Sequence, residues 1–220
     1  CTVAHTILGD NVTPAFNNPA ITRVEFGPMV NNIPNYIFWG CKGITDVVFG
    51  DNIETIGQSA FYGCTSLNNI TIPEGVTSIG TAAFYYCKNL TSITIPDNIT
   101  SIGPFAFYYC TSLTSVYISD IAAWCNISFG ESYASPLYYA KNLYLNGELI
   151  TDLVIPDGVT DIGNLAFYNC TSLTSVTIPD SVTSIGSSAF SGCYKLVEVI
   201  NKSSLNITAG SSNYGYVGCY

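Results

Sequence analysis

The sequence predicts an α/β solenoid, a coil with a parallel β-sheet along one face and irregular or short helical segments along the other. Three observations predict it. Cys41, Cys64, Cys87 and Cys110 follow one another at a constant interval of 23, and Cys170 and Cys193 repeat it. The same phrase recurs around each cysteine, as in ITIPEGVTSIGTAAFYYC and TIPDSVTSIGSSAFSGC, and a fixed period of this length marks a stacked repeat. Each unit also opens on a short alternating run, with Leu67, Ile70 and Ile72 apolar and Asn69 and Thr71 polar, which is a half-buried strand.

Composition removes other classes. The 220 residues include six Lys+Arg against 15 Asp+Glu, a formal charge of −9, so a phosphate-tracking surface would oppose the protein's own field and nucleic acid is not an expected partner. Only 10% of positions are charged, yet Thr, Ser, Gly, Asn and Pro break every apolar run before the roughly 18 residues a membrane span needs. With 48% hydrophobic and 13% aromatic residues, disorder is excluded as well. The chain opens without an initiator Met or a signal-like apolar segment, as a processed or excised chain does.

Taken in order, residues 1–20 read as an irregular N-terminal coil, because the interval from Leu8 to Phe26 is 18, five short of the period. Residues 21–118 carry regular repeats. Pro73-Glu74-Gly75 and its equivalents end each strand, since proline cannot donate to a central ladder. Between Ile118 and Ile155 the interval is 37, so 14 extra residues are carried in 119–149. That segment predicts a short helix capped by Ser119 or Asp120 and a hairpin turning at Asn146-Gly147. Regular repeats resume over 150–201, and 202–220 is a C-terminal cap or the start of a following segment.

Each column of the repeat has an expected role. The Ile/Val/Leu positions, the Ala-Phe pairs (Ala60-Phe61 to Ala189-Phe190) and the ladder cysteines form one continuous core. Gly57, Gly80, Gly103, Gly163 and Gly186 supply either a positive φ or a closely packed bend. The ladder cysteines read as buried thiols acting as small hydrophobes, because zinc needs four convergent ligands and in-register side chains face each other poorly for a disulfide. Cys1, Cys125 and Cys219 stand outside the column. An intermolecular bridge through Cys1 or Cys219 is the alternative to free thiols there.

Asp10, Asp51, Glu74, Asp97, Asp120, Asp157 and Asp180 occupy one turn position, with Pro28 the exception. Asx-turn capping is the favoured reading of this row, and weak cation binding is the alternative. No metal site or cofactor is expected, since a single-file row does not enclose an ion. Tyr62, Tyr85, Tyr108 and Tyr168, with Trp39 in the same place and Tyr86 and Tyr109 beside it, line the face opposite the sheet. They stack structurally or form a contact surface.

The sheet face presents Arg23, Asp46, Asn69, Ser92, Ser115, Asp152, Ser175 and Glu198 in one row. The next row is Glu25, Val48, Thr71, Thr94, Tyr117, Val154, Thr177 and Ile200. Its hydroxyl-rich middle supplies the candidate protein-contact residues Asn69, Thr71, Ser92, Thr94, Ser115, Tyr117, Asp152, Ser175 and Thr177. Catalysis is not expected. The single histidine, His5, lies in the irregular first coil with no nucleophile motif around it, and there is no P-loop, G-x-G-x-x-G or H-E-x-x-H. Eight N-x-S/T sequons arise from composition and carry little weight.

The phrase IPDxVTSIGxxAFxxCxSLTS closely resembles the repeat of the BspA-like leucine-rich repeat surface proteins, over about residues 20–201. The resemblance implies a right-handed leucine-rich repeat coil. It also implies a secreted or cell-surface bacterial protein that binds host or neighbouring-cell macromolecules, extracellular matrix proteins among them, without catalysis. A self-associating structural or fibre-forming protein is the alternative, because solenoid ends expose sheet edges. No family binding residue transfers onto these positions.

Overall fold

The computed structural model describes residues 2–3, 15–131 and 133–207. The expectations placed on Cys1, His5, Asp10 and Cys219 fall outside them, and Val3 pairs with Phe26 at the full interval of 23, so the first coil is not five residues short as the spacing from Leu8 suggests.

Alternation of apolar and polar residues produces the first ladder. It begins with Thr2–Val3, Arg23–Phe26 and Asp46–Val48, all parallel. Asn69–Thr71, Ser92–Thr94, Ser115–Ile118 and Leu143–Leu145 follow as a second parallel group, and Asp152–Val154, Ser175–Ile178 and Glu198–Asn201 as a third. The register keeps the interval of 23 wherever the repeat is regular, as in Ile70 with Ile93 and Ile93 with Val116. The inward partners are buried and the outward ones face solvent.

A second parallel ladder, not foreseen from the sequence, follows the turn. Asn32–Ile33, Thr55–Ile56, Ser78–Ile79, Ser101–Ile102 and Ser128–Phe129 pair in series, and Asp161–Ile162 pairs with Ser184–Ile185. Each strand has only two residues, too few to show alternation in sequence. Threonines reinforce both ladders by bonding one coil back: the Thr91 hydroxyl donates to the Asn68 carbonyl at 3.0 Å, and Thr100 to that of Thr77 at 3.2 Å.

The core between the ladders is built of columns. Phe38, Phe61, Phe84 and Phe107 stack with ring centroids 5.5–5.6 Å apart, and Phe167 and Phe190 at 5.2 Å. The cysteine column lies beside them. The Cys64, Cys87, Cys110 and Cys193 thiols donate to the carbonyls of Phe38, Phe61, Phe84 and Phe167, at 3.1–3.4 Å. Cys41, Cys64, Cys87, Cys110, Cys125 and Cys170 are buried free thiols. Burial pushes the Cys110 and Cys125 thiols up to about 12, with the Asp120 carboxylate adding to the shift of Cys125.

The repeat glycines are there for close packing. A Cβ on Gly80 would lie 2.6 Å from Gln58 N, and one on Gly103 2.6 Å from Thr81 N. The left-handed backbone falls instead two residues later, at Ser59, Ala82, Phe105, Leu165 and Ser188, and again just before the cysteine, at Gly63, Tyr86, Tyr109, Asn169 and Gly192. Two such residues per coil keep the segment opposite the sheet in tight turns instead of helix. Of the two alternatives for the glycines, packing is therefore the one realised.

The insertion divides into a part of four and a part of ten. Val116 pairs with Leu143, an interval of 27 instead of 23, and Leu143 and Leu153, which hold equivalent inward positions, are 10 apart. The lengthened coil holds helix α1 (Ile121–Cys125) and helix α2 (Leu137–Ala140). Asp120 caps α1 by accepting from Ala122 N at 2.6 Å and Ala123 N at 3.2 Å. Trp124 of α1 is buried and its indole N–H donates to the Ala166 carbonyl at 2.7 Å, tying this coil to the next. The second part is the antiparallel hairpin of Leu143–Leu145 with Glu148–Leu149, turning at Asn146-Gly147 with φ of 51° and 87°.

Candidate binding surfaces

Two faces of the coil offer surface. On the first ladder, Asn69, Ser92 and Ser115 are in register, as are Thr71, Thr94 and Tyr117. Asp152 with Ser175, and Thr177 beside Val154, lie on the third group of strands. The hairpin strand Glu148–Leu149 borders the middle group, so the nine candidate residues fall into a set of six and a set of three. At the junction, Ile121, Leu145, Leu149 and residues 150–154 line a cavity of about 280 Å³.

Sequence reasoning missed one member of this face. Tyr144 continues the row of Tyr117, its ring 4.9 Å away at 29°, because its register depends on the lengthening of the preceding coil. Beyond the hairpin Val154, 64% exposed, and Ile200, exposed as well, stand among the polar residues of their rows, as the sequence places them. Charges are paired at its N-terminal end. Arg23 pairs with Asp46 and Glu25. Asp152 accepts the Ser175 hydroxyl at 2.7 Å and that of Thr151 at 3.0 Å, and these bonds, Ser175 first, hold its carboxyl below the usual range.

The turn carboxylates behave differently from the expected Asx turns. Among the described residues, Asp120 alone in that row accepts backbone N–H groups, and Asp97 accepts the Ser119 hydroxyl at 2.8 Å. The neighbouring asparagines instead join each turn to the one in the coil behind: Asn52 donates to the Pro28 carbonyl at 2.6 Å and Asn98 to that of Glu74 at 2.7 Å. An amide donates to the coil behind it, which a carboxylate cannot do. Among the described residues, no group of three or more His, Cys, Asp or Glu is placed to hold a metal ion. Among them, too, no helix is long and apolar enough to cross a membrane.

The opposite face is aromatic. Tyr62 and Tyr85 stack at 4.6 Å and 4°, Trp39 meets Tyr62 edge-on at 5.7 Å, and Tyr108 contacts Tyr109 at 4.3 Å. The insertion extends the row, since Tyr133 and Tyr138 of the lengthened coil link Tyr108 to Tyr168. The Tyr109 hydrogen bond, with burial and neighbouring phenols behind it, raises the Tyr108 hydroxyl to about 12. Trp39, Lys42, Tyr62, Tyr85 and Tyr86 line a groove of about 470 Å³, and the Lys88 ammonium sits 4.2 Å over the Tyr86 ring.

Comparison with known proteins agrees with this architecture. The family described as the BspA type leucine rich repeat region matches in six copies, over residues 12–134 and 139–214. No curated protein matches the chain. Among solved structures, a leucine-rich repeat protein from Bacteroides ovatus is 27% identical at a TM-score of 0.47, covering 87% of this chain and 58% of its own. The pneumococcal vaccine antigen PcpA is 17% identical at a TM-score of 0.50, covering 81% and 50%. A leucine rich cell surface protein from Faecalibacterium prausnitzii is 24% identical at 0.40, covering 84% and 60%. The chain thus spans between half and three-fifths of the length of these three structures.

Proposed function

Because the chain belongs to the BspA-type leucine-rich repeat family, we propose that it is a non-catalytic binding module of a bacterial cell-surface protein, contacting host or neighbouring-cell macromolecules through its solenoid faces. The observation that carries this reading is the in-register display of solvent-facing side chains, Asn69-Ser92-Ser115 and Thr71-Thr94-Tyr117-Tyr144, on a rigid ladder. Such rows are already ordered before binding, so a partner loses little of its interaction energy to side-chain ordering. The extracellular setting rests on the family. Candidate contacts remain Asn69, Thr71, Ser92, Thr94, Ser115, Tyr117, Asp152, Ser175 and Thr177.

Surface plasmon resonance against immobilised matrix proteins and against bacterial envelope fractions tests the reading. Saturable binding that Thr94→Arg weakens supports it. No saturable binding to any of these components overturns it.

A second reading, self-association, is favoured by the strand Glu198–Asn201, which ends its ladder among the described residues with all four positions exposed. Such an edge can accept a second copy. Light scattering that finds only monomer at high concentration removes it.

A further inference from the structure

The rings of the aromatic face form one connected network. Trp39 meets Tyr62, Tyr62 stacks on Tyr85, and Tyr85 touches Tyr86, Tyr108 and Tyr109. Most of the close contacts are edge-on or tilted, as in Trp39 with Tyr62 at 62°, Tyr85 with Tyr108 at 68° and Tyr108 with Tyr133 at 48°. Tyr62 and Tyr85 differ: their centroids are 4.6 Å apart and their planes 4° from parallel. Among the described residues, no other tyrosine pair this close is so nearly parallel. Tyr117 and Tyr144 on the sheet face come nearest, at 4.9 Å and 29°.

The stacked coils fix this pair. Phe61 N donates to the Ala83 carbonyl at 2.8 Å and Gly63 N to the Tyr85 carbonyl at 2.7 Å, strapping one coil to the next on both sides of Tyr62. Equivalent side chains leaving adjacent coils in one direction are related by translation. Each ring carbon therefore lies near its counterpart at about the centroid separation, the carbons ortho to the hydroxyl included. A tilt would carry one edge of the ring away from its partner, whereas the parallel pair keeps both ortho carbons within reach. Both rings are half-buried and line the groove shared with Trp39 and Tyr86, so a small oxidant has access and the rings have room to turn.

Two phenols held in this way couple when oxidised. A one-electron oxidant takes an electron and the hydroxyl proton from each, leaving two phenoxyl radicals with spin on their ortho carbons. Those carbons join in one C–C bond, and the hydrogen on each passes as a proton to its own oxygen, restoring ring and hydroxyl. The pair loses two electrons and two protons in all, which hydrogen peroxide accepts through a peroxidase to become two waters. The network supplies the radicals. Tyr86 and Tyr109, 38% and 40% exposed, contact Tyr85 at 6.5 Å and 5.8 Å, so oxidation begun at the surface passes to Tyr85 and on to Tyr62.

We propose that Tyr62 and Tyr85 are an oxidative cross-linking site, joined by peroxidase and hydrogen peroxide into a dityrosine that staples two successive coils. The bond closes a loop across one repeat and restrains the unfolded chain. It is independent of which macromolecule the solenoid faces bind.

Treatment of the dilute chain with a haem peroxidase and hydrogen peroxide tests the proposal. The monomer becomes lighter by two hydrogen atoms and gains dityrosine fluorescence. Cleavage after Glu54, Glu74 and Lys88 releases 55–74, whose sole tyrosine is Tyr62, joined to 75–88, which holds Tyr85 and Tyr86. Fragment-ion spectra place the bond at Tyr85. Tyr85→Phe abolishes the joined peptide, and Tyr86→Phe retains it because Tyr109 also reaches Tyr85. Unfolding in urea lowers its yield at least about fivefold, since the stack that holds the rings together is lost. Unchanged thermal melts of the Phe variants exclude a folding defect. Absence of coupling, covalent dimers alone, coupling confined to other pairs such as Tyr108 with Tyr133 or Tyr117 with Tyr144, or a joined peptide that survives Tyr85→Phe overturns the proposal.

Discussion

Gly80 lies against the backbone of Gly57 one coil behind it, so closely that a Cβ on Gly80 would sit 2.7 Å from the Gly57 carbonyl carbon. Both neighbours there are backbone, which cannot rotate away. Gly80→Ala is therefore expected to cost about 3 kcal/mol, read as a lowered denaturation midpoint. Two residues on, Ala82 has φ of 54°, where a side chain is a burden. Ala82→Gly is expected to leave stability within about 0.5 kcal/mol or raise it, because relief of the strained backbone offsets the greater freedom of the unfolded chain. If both variants lose equally, the packing role assigned to Gly80 is wrong.

Trp124 joins the lengthened coil to the regular one through its bond to the Ala166 carbonyl. Trp124→Phe keeps most of the apolar volume and leaves that buried carbonyl without its indole donor, a loss of about 1–3 kcal/mol. Trp124→Ala adds a cavity and is expected to cost about 3–5 kcal/mol. Chemical denaturation of the two variants separates the bond from the packing. Equal losses would show that the bond contributes nothing.

Cysteine burial sets an alkaline limit. The Cys110 thiol rises from 9.0 to about 12 in the fold, so the folded state holds its proton where the unfolded chain releases it. Its contribution is complete below pH 9 and is lost as pH climbs from there through 12. Melting temperature should fall over that window, and Cys110→Ala should flatten the slope while lowering stability at pH 7. Native-state alkylation at pH 8 should be slow at Cys64, Cys87 and Cys110, and rapid labelling would contradict their burial.

The acidic row is expected to be energetically uneven. Asp120→Ala removes the cap of α1 and should lower stability by about 1 kcal/mol. Asp157→Ala should change it by less than about 0.5 kcal/mol, since its exposed carboxylate caps no backbone among the described residues. Excess EDTA should leave the melting temperature of the wild-type chain unchanged. A drop of several degrees would instead favour cation binding along the row.

Much of the fold was legible because a repeat states each inward position many times. Phe61, Phe84 and Phe107 recur at one interval, and a constant register places their rings 5.5 Å apart without further information. The Asp120 cap and the Asn146-Gly147 hairpin were legible for a different reason, as local chemistry that needs no tertiary partner. The second ladder was not legible. A two-residue strand such as Ser78–Ile79 owes its conformation to the coils on either side. Tyr144 was missed likewise, since only the division of the insertion between a longer coil and a hairpin puts it beside Tyr117.

The sequence by itself determined the period, the membership of the core and the places where strands end. All of these follow from side-chain chemistry repeated at a constant interval. Only the tertiary structure decided that Gly80 is small because Gly57 and Gln58 lie against it while Ala82 takes the left-handed turn. It also decided that Asn52 and Asn98 join their turns to the coil behind, next to acidic residues that mostly cap no backbone. These outcomes depend on contacts with the adjacent coil, and distances across a stack are set by packing between residues that no single repeat contains.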